Sequence, residues 1–399
     1  MSVRRRVAGA LALCCALLAG CQGAATEDPA RGQAQHLLDA RARAVLDHDR
    51  TAYLATEDPR AADRGEEFTN LRAVPLAAWS YRLTRYEETG RDTARVRAEL
   101  GYRLSGYDRS PVRTDRAFEL RRREGRWYVV DERPADRDRD MFWEQGEVGV
   151  VRGARSLVLG EGRQGGQLRD YARLADEAVP RVTEAWGEGW QRRVIVLVPG
   201  SLDEMAGLLG AEPSAYQGIA AVTTGENAGS GKTPADRVII NPDAFAQLGD
   251  TGKRVVMTHE ITHVATRSHT GEATPLWLSE GFADWSGYRD SGRDPRSAAP
   301  ELARAVREGR VPRTLPADLD FTFGREPTGL SEAYEGAWLA CRMIADQWDE
   351  ERLRALYREV DTYERSKEAV SASLRKVLGV DEGEFTRRWR AYLRTELGQ

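Results

Sequence analysis

The residues best suited to chemistry lie in Met257-Thr258-His259-Glu260-Ile261-Thr262-His263 and in the later run Trp277-Leu278-Ser279-Glu280-Gly281-Phe282-Ala283-Asp284. On a helix of 3.6 residues per turn, the four-residue spacing stacks His259 and His263 on one face, where both imidazoles can bind one metal ion. Glu260 lies about 100° round that helix, close enough to reach a water on the metal without ligating it. With only five histidines in 399 residues, a chance H-E-x-x-H is expected roughly once in 200 such chains. The competing reading is a pair of satisfied core histidines beside an ion-paired Glu260. It is disfavoured because buried charge is uncommon unless paired or metal-bound.

A catalytic zinc takes three protein ligands and keeps a fourth position for water, so a third donor is needed. Two residues compete. His269 follows His263 by six positions, the spacing of H-E-x-x-H-x-x-G-x-x-H, but Thr266 occupies the glycine position and disfavours the sharp turn that pattern requires. Glu280 lies beyond a Gly/Pro-containing turn, where a second helix can fold back on the first.

The block Pro275-Leu276-Trp277-Leu278-Ser279-Glu280-Gly281-Phe282-Ala283 is similar to the W-L-N-E-G-F-A segment of the aminopeptidase branch of the peptidase MA-like (gluzincin) zinc metallopeptidase superfamily. That resemblance implies Zn2+ as cofactor, His259, His263 and Glu280 as its ligands, and Asp284 as the carboxylate that holds a ligating histidine through its other ring nitrogen. It also implies hydrolysis of a peptide bond, with Glu260 as general base. Ala333-Tyr334-Glu335-Gly336-Ala337 resembles the Y-E-K-G-A segment that carries the oxyanion tyrosine, without its lysine, which makes Tyr334 the second candidate catalytic residue. No Gly-x-Met-Glu-Asn segment for a substrate amino terminus is present, so aminopeptidase action is not implied.

These side chains need two antiparallel helices and a sheet to lean on. Val256, Met257, Ile261 and Val264 supply apolar positions for the first helix, Asp250 and Thr251 are candidate caps, and Ser268 to Pro275 ends it. Ahead of it, strands are expected near 148–159, 192–199, 218–223 and 236–240, with helices at 166–187 and 201–210. Residues 299–397 read as mostly helical, a lobe able to close a cleft. Between two strands, residues 225–233 imitate a phosphate-binding loop. The glycine spacing is wrong and Pro234 follows, so no nucleotide partner is expected.

Residues 33–72 read as helices and are followed by period-two runs around Trp79/Tyr81/Leu83, Val96–Leu104, Phe118/Leu120 and Trp127/Val129, turning at Gly90 and Glu124-Gly125. Helices leading into such a meander resemble SnoaL-like and nuclear-transport-factor-type cone domains. The expected class is thus α+β: a cone domain over 31–135, a charged, solvated linker over 136–147, and over 148–397 a zincin-type domain of mixed sheet, active-site helices and helical C-terminal lobe.

Arg4-Arg5-Arg6, an apolar stretch from Val7 to Gly20 and Leu18-Ala19-Gly20-Cys21 form the pattern of a bacterial lipoprotein signal. Cleavage would leave Cys21 for lipid attachment and residues 21–30 as a tether, placing the body on the extracytoplasmic face of the cell membrane. Four lysines against 55 arginines point to a GC-rich, actinobacterial type of genome. The formal charge of −4 becomes −7 once residues 1–20, with three arginines and no acids, are removed, which gives no support to a nucleic-acid partner. The expected partners are therefore a peptide or protein substrate and, through Cys21, the membrane. A non-catalytic zinc protein whose cone domain binds a peptide, glycan or small ligand is the alternative.

Overall fold

The computed structural model describes residues 28–62, 64–135, 139–162, 165–224, 236–322, 327–364 and 366–398. The expected leader, Cys21, most of the tether, residues 136–138 of the linker and the loop at 225–233 lie outside the described residues. Among the described residues no helix is long and apolar enough to cross a membrane.

Three helices, α1 (Pro29–Leu46), α2 (Arg50–Leu54) and α3 (Glu66–Leu71), precede an antiparallel meander of β1 (Leu76–Gly90), β2 (Thr93–Leu104), β3 (Val112–Arg123) and β4 (Arg126–Pro134). The β3–β4 turn consists of Glu124 and Gly125, both at positive φ (51° and 80°), the backbone a two-residue hairpin of right-handed twist demands. Along β2 the buried side chains alternate as Val96, Ala98, Leu100, Tyr102 and Leu104, so one face of this sheet is core.

A second, mixed sheet follows, built from β5 (Val148–Arg152), β6 (Ser156–Glu161), β7 (Val194–Val198), β8 (Ala221–Thr223) and β9 (Val238–Ile240) in the order β5-β6-β7-β9-β8. β6 and β7 are parallel and joined through α4 (Gly165–Trp186); α5 (Leu202–Leu209) follows β7. Strand β7 is buried at every residue, as expected of a central strand covered on both faces. Val194, Val196 and Val198 face a core shared with α4 and the later helices. Ile195 and Leu197, together with Leu157, Leu159 and Ile239, belong to the same core as Tyr81, Leu100 and Phe118 of the first sheet. The N-terminal sheet therefore covers the outer face of the second one.

This arrangement corrects the solvated linker. Met141, Phe142 and Trp143 are buried, and the Trp143 ring packs 5.3 Å from Trp79 and 5.1 Å from Tyr102. The charged alternation ends at Asp140, and the three apolar residues after it fill the seam between the sheets.

The remaining chain is helical: α6 (Pro242–Ala246), α7 (Asp250–Thr266), α8 (Leu276–Tyr288), α9 (Pro295–Ala298), α10 (Pro300–Arg307), α11 (Pro327–Gln347), α12 (Glu350–Val360), α13 (Ser366–Ser373) and α14 (Glu382–Leu397). Gly249, not Asp250 or Thr251, takes the cap position of α7, and no side chain caps it. Helix α8 is squeezed between two neighbours. A Cβ on Gly281 would come 2.3 Å from the Ala337 carbonyl oxygen of α11, and one on Gly287 would come 2.9 Å from the Val255 carbonyl oxygen of α7.

The N-terminal unit also holds a charged core that its sequence does not announce. Arg41 is buried and reaches Glu132 at 3.1 Å, Glu57 at 3.3 Å and Glu67 at 3.0 Å, while buried Arg116 contacts Glu132 and Glu144. Four carboxylates thus share two guanidinium groups. Burial and the nearby Glu67 charge push Glu132 up to about 7, against the pull of Arg41 and Arg116. The unfolded chain releases this proton near pH 4.3, so between about 4.3 and 7 the folded state binds more protons and stability falls as pH rises. We expect the unfolding free energy of the parent, from denaturant titrations, to decline across that window by on the order of 1–3 kcal/mol more than that of Glu132→Gln. Parallel profiles would show that Glu132 stays ionised in the fold.

Candidate metal centre

Helix α7 presents His259 and His263 one turn apart, and α8, running back beside it after the turn at Thr270–Pro275, presents Glu280 and Asp284 one turn apart. Three donor atoms converge: His259 Nε2 and His263 Nε2 are 3.0 Å apart, and Glu280 Oε2 lies 3.3 Å from the first and 3.5 Å from the second. For metal–ligand distances of about 2.0–2.2 Å, donors at the corners of a tetrahedron are separated by roughly 3.3–3.5 Å. The three edges fit one face of such a tetrahedron, and the set of two imidazoles and one carboxylate suits Zn2+ with a fourth position for water.

Asp284 completes the orientation. Its Oδ1 lies 2.8 Å from His259 Nδ1, which therefore carries the proton and leaves the Nε2 lone pair for the metal. Burial disfavours charge on His259, but the Asp284 carboxylate and the hydrogen bond to Glu280 outweigh it and hold the ring well above the usual histidine range. Burial likewise opposes ionisation of Glu280, and the two imidazoles overcome it, holding the carboxyl well below its usual range. The group attracts positive charge.

His269, the competing third ligand, is outside this group. It stands beyond the end of α7 with its ring 5.6 Å from Trp186 and its Nδ1 3.7 Å from Asp361. The rise of only one 3-10 turn after Thr266 carries it toward α12 rather than back to the histidines.

Glu260 is buried beside the donors without joining them. The Thr223 hydroxyl, on edge strand β8, donates to Glu260 Oε2 at 2.7 Å and also lies 2.9 Å from the Glu260 carbonyl oxygen. Thr224 continues the contact, because its carbonyl accepts from Arg267 at 3.0 Å and Arg267 pairs with Asp236 at 2.8 Å. Neither threonine was expected at the site. Tyr334 lies two turns into α11 rather than at its start, because Pro327 opens the helix. Its ring meets Phe321 edge-on at 5.2 Å, and the next turn of the same helix, at Ala337, is the one that touches Gly281 beside Glu280. Glu335 has a structural task. Its carboxylate accepts from the Glu301 and Leu302 amides at 3.3 and 2.6 Å, capping α10, and burial pushes it up to about 7.

No protein-family profile matches the chain. No curated protein matches it either. Among solved structures it is similar to an M1 zinc metallopeptidase from Deinococcus radiodurans bound to a Tyr-Ser-Ala substrate, at 14% identity and a TM-score of 0.37 over 70% of this chain and 60% of that one. Another structure of an M1 zinc metallopeptidase from that organism gives 13% and 0.34, over 80% and 60%. The chain thus spans about 60% of the length of those metallopeptidase structures. A protein from Novosphingobium aromaticivorans, described provisionally as an aromatic ring hydroxylase, matches 26% of the chain and 85% of its own length at 26% identity and a TM-score of 0.22. Likenesses this loose establish neither family nor activity.

Metal analysis separates the two candidate ligand sets. His263→Ala and Glu280→Ala are expected to lose bound zinc after dialysis, His269→Ala to keep one ion per chain, and Asp284→Ala to bind it about 10- to 100-fold more weakly. Zinc loss in His269→Ala with full retention in Glu280→Ala would reverse the assignment.

Proposed function

We propose that the protein is a zinc-dependent peptidase of the gluzincin type. The observation that carries this reading is Glu260: retention of a metal needs only the three donors, yet a second buried acid stands beside them with its carboxylate oriented by the Thr223 hydroxyl at 2.7 Å. A non-catalytic metal scaffold has no use for that arrangement.

Zinc held by His259, His263 and Glu280 supplies Lewis acidity, which makes deprotonation of water feasible near neutral pH. Glu260 takes the proton from the attacking water as the new C–O bond forms, and returns it to the amine nitrogen as the C–N bond breaks. Thr223 donates to Oε2 of Glu260 and so holds the carboxylate in one orientation for that transfer. Asp284 accepts the His259 Nδ1 proton, so that Nε2 is the nitrogen a metal would take on displacing the proton it carries. Tyr334 is assigned to donate a hydrogen bond to the carbonyl oxygen as it gains negative charge. In this reading residues 148–397 form the hydrolytic unit, and residues 31–135 a SnoaL-like unit that helps present substrate.

The test is cleavage mapping of a peptide library by mass spectrometry. The parent is expected to cut, while Glu260→Gln at equal zinc content loses about 100- to 10,000-fold in kcat, and Tyr334→Phe loses kcat more than it raises KM. Equal activity of parent and Glu260→Gln would sink the reading.

We further propose a lipid-anchored, extracytoplasmic location, supported by the pattern ending in Leu18-Ala19-Gly20-Cys21. Expressed in a bacterium, the parent is expected to take up labelled palmitate and fractionate with membranes, and Cys21→Ala to do neither. Label on Cys21→Ala would place the lipid elsewhere.

A further inference from the structure

A groove of about 1030 Å3 opens along the seam between the N-terminal sheet and the metal-binding helix. One wall is the segment Tyr107–Arg113, from the β2–β3 connection into the start of β3; the other includes Asp236, Arg237, Val264 and Ala265 of α7, and Arg267 and Ser268 just beyond it. The volume exceeds the roughly 300–1,000 Å3 of a small-molecule site, so an extended ligand suits it better. The groove and the metal centre share helix α7: Val264, on the groove wall, is the residue after His263, and Asp236 pairs with Arg267 near the end of the same helix.

The charges in the groove do not balance. Arg237 is spent on Asp108 at 2.9 Å and Arg267 on Asp236 at 2.8 Å. What remains is Arg82, Arg109 and Arg113 against Glu99 alone. Arg82, at 3.0 Å, and Arg113 both hydrogen-bond Glu99 and hold its carboxyl below the usual range, so it contributes one full negative charge. Arg109 is exposed and pairs with no acid among the described residues. Two positive charges are left over on a chain whose formal net charge is −4. The side chains of Arg82 and Arg113 are 68% and 61% exposed, so their guanidinium groups can turn to a ligand.

A second, independent feature points to an acceptor. Trp190 lines the same groove, is only 8% exposed, and its indole N–H has no hydrogen-bond partner. A buried donor left unpaired costs free energy, which an acceptor on a ligand would recover only on a rotation of the indole that brings its N–H, itself buried here, to the groove. Guanidinium groups match carboxylates in geometry as well as charge.

We propose that this groove docks an acidic segment of the peptide or protein cleaved at the metal centre, several residues away from the scissile bond. The proposal rests on the peptidase reading for the identity of its ligand. It assigns Arg82, Arg109, Arg113 and Trp190 to substrate selection and none of them to bond breaking.

A fluorescent peptide cut by the parent is extended with a tail of four glutamates or four glutamines, and binding to the zinc-loaded full chain carrying Glu260→Gln is followed by anisotropy. The glutamate tail is expected to bind about tenfold tighter at low ionic strength, and the advantage to shrink to under about threefold near 0.5 M salt. Combining Arg82→Ala, Arg109→Ala and Arg113→Ala should abolish the advantage, so that the two tails bind equally, while the zinc content stays at one ion per chain. Trp190→Phe should weaken glutamate-tail binding severalfold at equal zinc content. Equal binding of the two tails, or a preference that survives the triple substitution, overturns the proposal. Cleavage without tail preference would remove the docking site and spare the peptidase. If no library peptide is cut, the tails are carried on an arbitrary sequence: arginine-dependent binding of the glutamate form then upholds the docking site while the peptidase reading fails.

Discussion

Helix α8 can deliver Glu280 and Asp284 to the α7 histidines only because it lacks a side chain at two points. Gly287 lets its backbone approach the Val255 carbonyl of α7, and Gly281 lets the opposite face approach the Ala337 carbonyl of α11. Donor separations of 3.0 to 3.5 Å leave little slack. A helix displaced by the width of one methyl group would take Glu280 out of the coordination geometry and break the 2.8 Å contact between Asp284 and His259. Overpacked interfaces relieve themselves by backbone shifts. Those two glycines therefore belong to the chemistry as much as to the core, and Cys341, small and buried opposite Gly281, serves the same close fit.

The second constraint is the sheet on which α7 rests. Every residue of β7 is buried, with its valines turned to the helices and Ile195 and Leu197 turned to the N-terminal sheet. The N-terminal unit is consequently a wall of the metal-binding unit rather than an appendage on a tether. The bidentate Asp108–Arg237 pair, buried and at 2.9 Å, joins the two units one residue away from the Asp236–Arg267 pair. Because Arg267 and Arg237 both hydrogen-bond Thr224, this seam also fixes the strand end on which Thr223 meets Glu260. Breaking one partner of such a buried pair strands the other charge, so the seam is held more firmly than its exposed ion pairs suggest.

What was legible in the sequence followed from local rules. The i, i+4 histidines, the Gly/Pro turn before Trp277, the alternation of Val96 to Leu104 and the hairpin at Glu124-Gly125 each rest on neighbours within a few residues, and each element formed close to where those rules place it. Two failures have one cause. Thr223 meets Glu260 across 37 residues, and Arg41 meets Glu132 across 91; neither partner carries a periodic signal, and an isolated threonine or arginine is ordinarily a surface residue. The buried Met141-Phe142-Trp143 was masked by the charged run before it, although three adjacent apolar residues after such a run are themselves a sign of a packed segment.

On the proposed peptidase reading, the electrostatics of the site separate where acidic substrate groups would be tolerated from where they would not. Glu260, Glu280 and Asp284 crowd the candidate metal position with carboxylates, and a divalent ion there would offset only part of that charge. An acidic residue of substrate close to the scissile bond would face them across a buried, weakly screening region, where like charges repel most strongly. Arg82, Arg109 and Arg113 stand on the opposite wall, at the solvent edge, where ions screen over about 8–10 Å. The repulsion at the centre and the attraction at the seam act on different residues of one extended chain. Together they favour a substrate with neutral residues about the cleaved bond and acidic ones further along, a distinction that neither the metal ligands nor the groove could make alone.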